Sequence, residues 1–370
     1  MEITVPSYYE RFHCLAGQCR DNCCCTGWQI VIDPDTLEYY RHLPEPQRGR
    51  ILAGLTENEE GETIIRPRDG RCPFLTEGRL CGLVLELGEE HIGEICALHP
   101  RYRAWYPGRL EMGVGLCCEE AARLILSDSA PAEFYTYLTD QADEEGEDVP
   151  LYPALLDLRE RLFAAVQDRS RPLRLRLAEI LRLSHAAQEA VNRGELPDAQ
   201  VPPSPLPARS GDGRDVLRAL ADAHREMEVL EAPWGEALSR LSAQLDALDW
   251  RGFRAAAEAW AWEYEHLTVY LLFRYFLPAV WDESPLLAAE QVVGMVLAIA
   301  ALGALAWQEG GGSLFAAERW EIARQYSKEV EYSEDNLELL REAFLFAPAL
   351  SLPALLGLLE GSSTAAADAL

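Results

Sequence analysis

The stretch RFHCLAGQCRDNCCCTGWQIVID, residues 11–33, places five cysteines within twelve residues and then continues as an apolar run. All ten cysteines of the chain lie between Cys14 and Cys118, and the remaining two thirds contain none. Such an uneven distribution marks a change of architecture along the chain. It predicts a small cysteine-rich part at the N-terminal end, followed by a part that is built differently.

The overall composition is typical of a soluble globular protein. The 370 residues are 49% hydrophobic and 25% charged, and the formal net charge is -28. Because nucleic acid and anionic lipid both repel an acidic surface, we expect no nucleic-acid partner and no membrane partner. The first residues, MEITVPSYYERF, lack the basic and apolar regions of a secretory signal, so the expected compartment is the cytoplasm.

The longest apolar run, residues 292–307, is shorter than the roughly 20 residues that a membrane-spanning helix needs. Acidic and amide side chains precede and follow it, at residues 290–291 and 308–309. This pattern predicts a buried helix in the core of a soluble protein.

Short apolar runs separated by Gly, Pro and Asp characterise the N-terminal part. The runs WQIVID, TIIRP and CGLVLELG are typical of strands. The segment DPDTLEYYRHL, with its acidic first turn, and the segment CCEEAARLILSD indicate helices. The sequence therefore predicts mixed α and β structure up to about residue 130.

From residue 151 onwards, apolar residues recur three and four positions apart, as in LLDLRERLFAAVQ and in LRLRLAEILRLSHAAQEAVNRG. Gly194 is expected to cap the second of these helices. A Pro-rich linker is predicted near residues 197–213. The predicted fold class is mostly α, with a small cysteine-rich α+β metal-binding domain at residues 1–130 and a helical domain at residues 151–361.

The cysteine pattern favours metal binding over disulfide pairing, because the cytosol keeps thiols reduced and adjacent cysteines form strained disulfides. Several short Cys spacings on loops that contain Gly and Pro are typical of thiolates that converge on a metal. A 4Fe-4S cluster is favoured because the region is so rich in sulfur, and zinc is the alternative. His13 and His99 lie near these cysteines and could be ligands, but local packing or hydrogen bonding is the favoured explanation for both.

The order of several spaced blocks, FHC, GWQIVID, CPFL, GRLCGL, CALHPR and CCEEAARLIL, resembles the flagellin lysine N-methylase family. The same region is similar to cysteine-cluster domains that chelate zinc or iron. The resemblance covers residues 9–126 and continues more faintly at YEHLTVYLLFRYF and YSKEVEYSEDNLELL. It implies an S-adenosylmethionine-dependent protein-lysine N-methyltransferase with a cysteine-ligated metal centre. The implied partner is a protein substrate with accessible lysines, flagellin or a similar protein.

The resemblance also implies which cysteines bind the metal. The family has a Cys-Cys pair before Gly27, which corresponds to Cys23-Cys24 or to Cys24-Cys25, and the first choice keeps CRDNCC intact. In the last block the family pattern reads Ser-Cys-Pro-Glu, so Cys118 is the match and Cys117 is an extra buried thiol. The implied metal ligands are Cys14, Cys19, Cys23, Cys24, Cys72, Cys81, Cys96 and Cys118.

Methyl transfer to an amine needs a neutral lysine, aligned with the methyl donor in a pocket that excludes water. A carboxylate or a tyrosine could accept the departing proton or orient the amine. Glu263 and Tyr270 are the predicted catalytic residues, since with Arg274 they share one face of a predicted helix. An amphipathic core helix with aromatic packing would show the same pattern. The chain lacks a Gly-rich turn between a strand and a helix, so the sequence predicts no residues for the methyl-donor site.

Two other classes of protein fit the residues. In the first, a metal staples a small domain and the helical part binds another protein without catalysis. In the second, the cysteines hold a cluster that changes oxidation state during electron transfer. Only the methyltransferase requires S-adenosylmethionine, so dependence on this donor discriminates among the three.

Overall fold

The computed structural model describes residues 1–26, 28–140, 149–198 and 213–361. Gly27, the acidic segment 141–148, most of the predicted Pro-rich linker and the tail 362–370 lie outside the described residues. The strands are β1 Glu2–Pro6, β2 Leu55–Glu57, β3 Thr63–Ile65, β4 Arg101–Tyr106, β5 Arg109–Val114 and β6 Phe134–Leu138. Every described strand thus precedes residue 139, and helices make up the structure after it.

Four of these strands form one mixed sheet in the order β4-β5-β1-β6. Strand β1 runs parallel to β5, where Ile3 pairs with Leu110, and antiparallel to β6, where Ile3 pairs with Tyr137. Strands β4 and β5 form an antiparallel pair. Strands β2 and β3 form a separate two-stranded sheet.

Short helices lie between the strands of the N-terminal part. They are α1 Pro34–Arg41, α2 Gln47–Leu52, α3 Gly82–Leu87, α4 Glu94–Leu98 and α5 Glu119–Leu126. Helices α1 and α5 confirm the two helical predictions, and Asp33 caps α1 through the backbone N–H of Thr36. The strand prediction for CGLVLELG is wrong, because residues 82–87 form α3 behind Cys81. The prediction for WQIVID is also wrong, since only a single bridge joins Val31 to Ile64.

The C-terminal part is helical, as its periodicity predicts. Its helices are α6 Leu151–Val166, α7 Leu173–Asn192, α8 Gly213–Glu226, α9 Ala232–Gln244, α10 Trp250–Ala257, α11 Ala261–Tyr275, α12 Ala279–Asp282, α13 Pro285–Glu309, α14 Ala316–Tyr326, α15 Glu334–Phe346 and α16 Leu352–Glu360. Gly194 adopts φ +73° just after α7, the left-handed conformation of a helix cap. A mostly helical chain with a small N-terminal sheet region is therefore confirmed.

Buried apolar residues form two cores. The larger core contains residues from Tyr8 to Leu359 and combines the four-stranded sheet with the long helices. The smaller core contains residues between Ile32 and Leu83 and lies under β2, β3, α1 and α3. Cys118 packs against the larger core, whereas Cys72, Cys81 and Cys96 pack against the smaller one.

A buried ion pair joins the sheet to the helices. Glu111 on β5 and Arg159 on α6 are each 1% exposed, and Arg159 Nη1 and Nη2 contact the two oxygens of Glu111 at 2.7 and 2.5 Å. The guanidinium also lies 5.1 Å from the ring centre of Phe273 on α11. Because both hydrogen bonds of the fork are made, this pair fixes the orientation of β5 relative to α6.

Helix α13 is long and apolar enough to cross a membrane by length and composition, but 89% of its most apolar window is buried inside the protein. It packs against α7, α11, α15 and several other helices. The prediction of a buried core helix is confirmed.

Glu290 is a charged residue near the start of this apolar helix. The residue is 7% exposed, and burial raises the pKa of its carboxyl group to about 8. A raised carboxyl pKa means that ionisation disfavours the folded state increasingly as the pH rises from the unfolded value toward 8. A glutamine at position 290 has nearly the same shape as glutamate but cannot ionise, so it does not carry this free-energy cost.

We predict that Glu290→Gln raises the free energy of unfolding, by an amount that grows between pH 5 and pH 8. The growth should approach about 1.4 kcal/mol per pH unit, which is one proton of linkage. Urea denaturation of both proteins at pH 5.5, 6.5 and 7.5 measures it. Glu236→Gln, at an exposed position of α9, is the matched control. A difference between Glu290→Gln and the parent that stays constant with pH would contradict the prediction.

Candidate functional site

Helix α11 carries both predicted catalytic residues, and the structure places them in different surroundings. Glu263 is 6% exposed, and its two oxygens accept hydrogen bonds from Nε and Nη2 of Arg319, both at 2.7 Å. The indole N–H of Trp320 donates to the same carboxylate at 3.3 Å. The carboxylate of Glu263 is therefore engaged in a part-buried ion pair with α14.

Tyr270 lies two turns further along α11, in a hydrogen-bonded cluster. Its hydroxyl donates to Oε2 of Glu331 at 2.8 Å and accepts the backbone N–H of Leu116 at 3.1 Å. Burial raises the pKa of Tyr270 well above its ordinary value. The phenol therefore stays protonated at neutral pH and is suited to orienting a neighbour rather than to accepting a proton.

Arg274 and Glu331 form the charged centre of this cluster. Nη1 of Arg274 contacts Oε2 of Glu331 at 3.1 Å and donates to the Tyr270 hydroxyl at 2.8 Å. The guanidinium also lies 4.7 Å from the ring centre of Tyr102 and 5.1 Å from that of Tyr332. Oε2 of Glu331 accepts several hydrogen bonds, whereas no residue in the described part of the chain donates to its buried Oε1.

Two glycines, Gly113 on β5 and Gly115 just after it, allow the rings of Tyr102 and Tyr332 to approach the backbone. A Cβ atom added at Gly113 would lie 2.3 Å from the Tyr102 hydroxyl oxygen, and one at Gly115 would lie 1.9 Å from the Tyr332 hydroxyl oxygen. Any side chain at either position would displace a ring of the cluster. The sequence fragment GVG thus has a packing role here.

A π-helix, Ser327–Glu331, supplies the acidic end of the cluster. All five of its residues are buried, although four of them are polar or charged. The carboxylate of Glu329 accepts the backbone N–H groups of Leu230 and Glu231 at the start of α9. Single-turn π-helices inside α-helical structure are frequent at functional sites.

Lys328 of the π-helix binds the cysteine-bearing loop. Its Nζ contacts Asp21 at 2.7 Å and Glu231 at 2.5 Å, and its side chain is 1% exposed. Arg324, one turn earlier, contacts the same carboxylate oxygen of Asp21, Oδ2, through Nη1 at 2.8 Å. Burial alone would raise the pKa of Asp21, but these two cations lower it. Asp21 lies between Cys19 and Cys23, so its charge holds that loop against α14 and the π-helix.

Aromatic rings make a second connection between the two parts. The ring of Trp28, just after the triple cysteine, stacks on Tyr332 at 5.3 Å with an angle of 14° between the planes. His99 meets Trp28 edge-on at 5.4 Å. Burial lowers the pKa of His99 to about 4, so the imidazole is neutral at physiological pH. The cysteine loops and the Arg274–Glu331 cluster are therefore neighbours.

All ten cysteines are free thiols in the described structure. Cys14 accepts the backbone N–H of Ala16 at 3.3 Å. Burial raises the pKa of the Cys118 thiol, at the start of α5, and the backbone N–H groups of Ala121 and Glu120 partly offset this. Burial likewise raises the pKa of the Cys81 thiol, at the start of α3, against the N–H groups of Val84 and Leu83.

The thiols are also neighbours of one another. The Cys24 thiol forms hydrogen bonds with the sulfurs of Cys23 and Cys72, and these bonds, ahead of burial, raise the pKa of Cys24. As acceptors, Cys23 and Cys72 have pKa values lowered to about 7. Burial, followed by the charges of Cys118 and Cys14, raises the pKa of Cys19 to about 12.

Proximity of the thiols does not amount to a formed metal site. Across residues 1–26, 28–140, 149–198 and 213–361, no group of three or more His, Cys, Asp or Glu side chains is arranged to hold a metal ion. The metal-binding character of the cysteine-rich part is therefore not confirmed. The donor chemistry agrees with the prediction, because soft sulfur donors with N–H groups directed at them are what iron–sulfur clusters and structural zinc use.

A groove lies beside Tyr270, between the N-terminal part and α11. It encloses about 400 Å³ of empty space, part of which is open to solvent. Tyr8, Phe134 and Tyr270 give it aromatic walls, and Arg11 and Asp128 give it charges of opposite sign. Arg11 and Asp128 are both exposed.

His266 joins the two sides of this groove. Its Nδ1 lies 2.9 Å from the carbonyl oxygen of Ile125, and its Nε2 lies 2.7 Å from that of Ala130. The loop after α5 is thus fixed to α11. Glu263 lines a different pocket, with Arg319 and Gly303, so the two predicted catalytic residues do not face one cavity.

Sequence reasoning missed Glu331, Lys328, Arg11 and Asp128. The sequence did contain a signal for Glu331 and Lys328, because SKEVEY is a run of charged residues that continues a helical pattern toward the core. A charged residue at an apolar position of a helix indicates a buried partner. Arg11 and Asp128 gave no such signal, because exposed charges in loops occur in every soluble protein.

Comparison with known proteins relates the chain to lysine methylases. Residues 206–358 match the family described as FliB lysine N-methylase C-terminal domain. A lysine-N-methylase of Salmonella typhimurium is 31% identical over 132 residues, which are 34% of this chain and 33% of that protein. A lysine-N-methylase of Salmonella choleraesuis is 30% identical over 132 residues, with the same coverage. The chain therefore matches about a third of the length of these two relatives.

A shorter relative is matched over most of its length. The flagellar biosynthetic protein FliU of Salmonella muenchen is 30% identical over 132 residues, which are 34% of this chain and 78% of that protein. No solved structure matches the chain.

We predict that Asp21→Asn loosens the cysteine loop, because two buried cations lose the charge that holds residues 19–23. The measurement is the alkylation rate of Cys19 and Cys23 in metal-free protein, followed by mass spectrometry, and we expect a several-fold increase. Asp35→Asn, in the first turn of α1, is the control and should leave the rates unchanged. Equal rates in Asp21→Asn and the parent protein would show that the loop is held by other contacts.

Proposed function

The chain belongs to the flagellin lysine N-methylase family, and on this basis we propose that it transfers methyl groups from S-adenosylmethionine to lysine side chains of a protein substrate. The similarity to proteins named lysine-N-methylase carries the proposal. The proposed substrate is flagellin or a similar protein with accessible lysines, and the proposed compartment is the cytoplasm. The net charge of -28 supports a substrate with accessible lysines, since an acidic surface attracts amine-bearing partners.

In the proposed reaction, a neutral lysine nitrogen forms a bond to the donor methyl carbon while the sulfur–carbon bond breaks. The positive charge moves from the sulfonium to the product ammonium, which then loses a proton. Catalysis therefore consists mainly of aligning nitrogen, carbon and sulfur and of excluding water. The protein needs a pocket that binds the donor and an opening through which the lysine side chain of the substrate reaches it.

We place the donor in the groove beside Tyr270. As it stands the groove has room for little more than one or two water molecules, so donor binding in this proposal requires its walls to move apart. The guanidinium of Arg11 complements the donor carboxylate, and the carboxylate of Asp128 complements the donor ammonium. The aromatic walls at Tyr8 and Phe134 suit the adenine and the sulfonium.

The two residues predicted from α11 take different roles in this proposal. Tyr270 lines the groove, remains protonated and orients the reacting groups through its hydroxyl. Glu263 acts as a positioning residue, because its contact with Arg319 fixes α14 against α11.

A cysteine-ligated metal centre belongs to the proposal, with a 4Fe-4S cluster favoured and zinc as the alternative. The eight cysteines named from the family pattern would hold it, and their sulfur donors suit either group. When bound, such a group crosslinks the loops and, if it is an iron–sulfur cluster, supplies a redox centre. The contacts of Asp21 and Trp28 place these loops beside the Arg274–Glu331 cluster.

We predict that the anaerobically purified, metal-loaded protein adds methyl groups to lysines of flagellin when S-adenosylmethionine is present. Intact-mass and peptide mass spectrometry of the flagellin measure the result. Tyr270→Phe and Glu263→Gln should both reduce the rate without changing the metal content. Absence of methyl addition on every candidate flagellin, with no binding of the donor, would favour the non-catalytic binding module. A reversible redox change without any dependence on the donor would favour the electron-transfer protein.

We further predict that Arg11→Gln and Asp128→Asn each weaken donor binding by about tenfold, the typical effect of losing one charge-assisted hydrogen bond. Calorimetric titration with S-adenosylmethionine measures the dissociation constants. Arg225→Gln, which removes an exposed arginine of α8, should leave donor binding unchanged. If both groove variants bind the donor as tightly as the parent protein and still transfer methyl groups, the donor binds at another site. The proposed activity would not be affected by that result.

A further inference from the structure

Strand β6 is an edge of the main sheet, and its outer side is open. The sheet order β4-β5-β1-β6 puts β1 on one side of β6, and among the described residues nothing pairs with the other side. The side chains of residues 135–138 are all exposed. An open edge presents free backbone N–H and C=O groups, to which another extended chain can add as a further strand.

The hydrogen bonds between β6 and β1 determine which backbone groups point outward. At the two ends of the pair, Glu133 accepts the N–H of Ser7, and Thr139 donates its N–H to Met1. Positions that bond to the neighbouring strand alternate along an antiparallel pair with positions that do not. Odd-numbered residues of β6 therefore bond to β1. The outward-pointing N–H and C=O groups belong to Phe134, Thr136 and Leu138.

The two edges of the sheet differ in composition. Strand β4 at the opposite edge, RYRAWY, carries Arg101 and Arg103, and charged side chains are a common protection against unwanted strand pairing. Strand β6, FYTYL, contains no charged residue, proline or glycine. Aromatic and β-branched residues favour extended structure and pack well beside a neighbouring strand. Of the two edges, β6 is therefore the one suited to accept a partner strand.

Aromatic side chains form a surface next to this edge. Phe134 packs against Phe163 and Phe273 on the helical side of the sheet. Because side chains alternate between the two faces of a strand, Tyr135 and Tyr137 lie on the opposite face. Their side chains are 50% and 41% exposed. A tyrosine ring contacts both the methylene groups and the ammonium group of a lysine favourably.

The charges beside β6 favour a basic partner. Glu133 precedes the strand, Asp140 follows two residues after its end, and both are exposed. Glu10 is exposed as well, and its charge adds to burial in raising the pKa of Tyr137. The proposed function assigns Arg11, a cation in the same region, to the donor carboxylate. A segment that carries lysines therefore complements the charges along this edge.

A second copy of the chain fits the edge less well than a basic segment does. If two β6 strands paired in antiparallel fashion about Thr136, Glu133 of one copy would lie opposite Thr139 of the other and beside its Asp140. Like charges would thus meet at both ends of the pair. Two chains that each carry a net charge of -28 also repel one another.

We propose that β6 binds an extended, lysine-bearing segment of the protein substrate as an added strand of the sheet. This inference rests on the proposed function and describes how its substrate is held. Phe134, the first residue of β6, also lines the groove beside Tyr270, so a segment on this edge passes next to the groove. Hydrogen bonds to the backbone give affinity for many sequences, and the tyrosines and carboxylates select basic ones.

Binding of a synthetic peptide of alternating lysine and valine to the full chain tests the proposal. Fluorescence anisotropy of the labelled peptide gives its dissociation constant. The same peptide N-methylated at alternate residues, which keeps its charge but cannot form the hydrogen bonds of a strand, should bind several-fold more weakly. Hydrogen exchange at single-residue resolution should show slower exchange of the Thr136 and Leu138 amides in the complex. The amides of Tyr135 and Tyr137, which already bond to β1, are the internal reference.

Variants at one position separate backbone pairing from side-chain effects. Thr136→Pro removes an outward N–H and should weaken peptide binding about fivefold, the effect of losing one backbone hydrogen bond. Thr136→Val keeps that N–H and removes only the hydroxyl contact with Thr4, so it should bind the peptide as the parent protein does. Thr136→Pro should also raise the KM for flagellin while leaving kcat and donor binding unchanged. If Thr136→Pro does not fold, the comparison of the two peptides on the parent protein decides.

Three results would overturn the proposal. Equal affinity for the two peptides, or equal peptide affinity of Thr136→Pro and the parent protein, would mean that charge alone attracts the peptide. Slow exchange of the Thr136 and Leu138 amides without peptide would mean that the edge is already covered, and sedimentation would show whether a second copy covers it. Peptide binding requires neither donor nor methyl transfer. A protein that binds the peptide as expected but never methylates flagellin would contradict the proposed function and not the strand addition.

Discussion

The negative charge of Asp21 is the constraint on which the arrangement of the site depends. The loop that carries five cysteines forms only short 3-10 turns and lacks an apolar core of its own. Two cations, Arg324 and Lys328, reach Asp21 from α14 and from the π-helix that follows it. Without a partner, the almost fully buried ammonium of Lys328 would carry a large desolvation cost. The loop and the helices therefore adopt their relative positions together.

The same π-helix explains why so many polar groups lie in the interior. Its wider turn directs Lys328 toward the cysteine loop and Glu331 toward Arg274, in addition to the contact of Glu329 with α9. Three different structural elements thus meet at five consecutive residues. Within the described residues, Oε1 of Glu331 and Oγ of Ser327 are buried without a hydrogen-bond partner, so the network of this π-helix is not fully paired.

The sequence predicted the helical part well because its signal is local. Periodicity identifies α7 and α13 without knowledge of what they pack against. Gly194 follows α7 in the left-handed conformation that glycine adopts easily, which ends the helix. The main sheet was missed because its signals depend on distant residues. Strand β5, RLEMGV, places Glu111 inward, and only the pairing with Arg159 makes that orientation favourable. The run CGLVLELG suits a strand by composition, yet the start of a helix behind Cys81 satisfies its backbone instead.

The position of β1 inside the sheet affects how the chain reaches its folded state. Residues 2–6 pair with residues 109–111 on one side and 134–138 on the other, so more than a hundred residues must be synthesised before either neighbour exists. Contacts between such distant segments form slowly, because a long loop has to close first. Helices α6 and α7 are adjacent in the sequence and pack against each other, so they can form soon after they leave the ribosome. During synthesis, the first strand therefore remains an unpaired apolar segment for longer than any other element of the sheet, and this is the stage at which chaperones would protect it from aggregation.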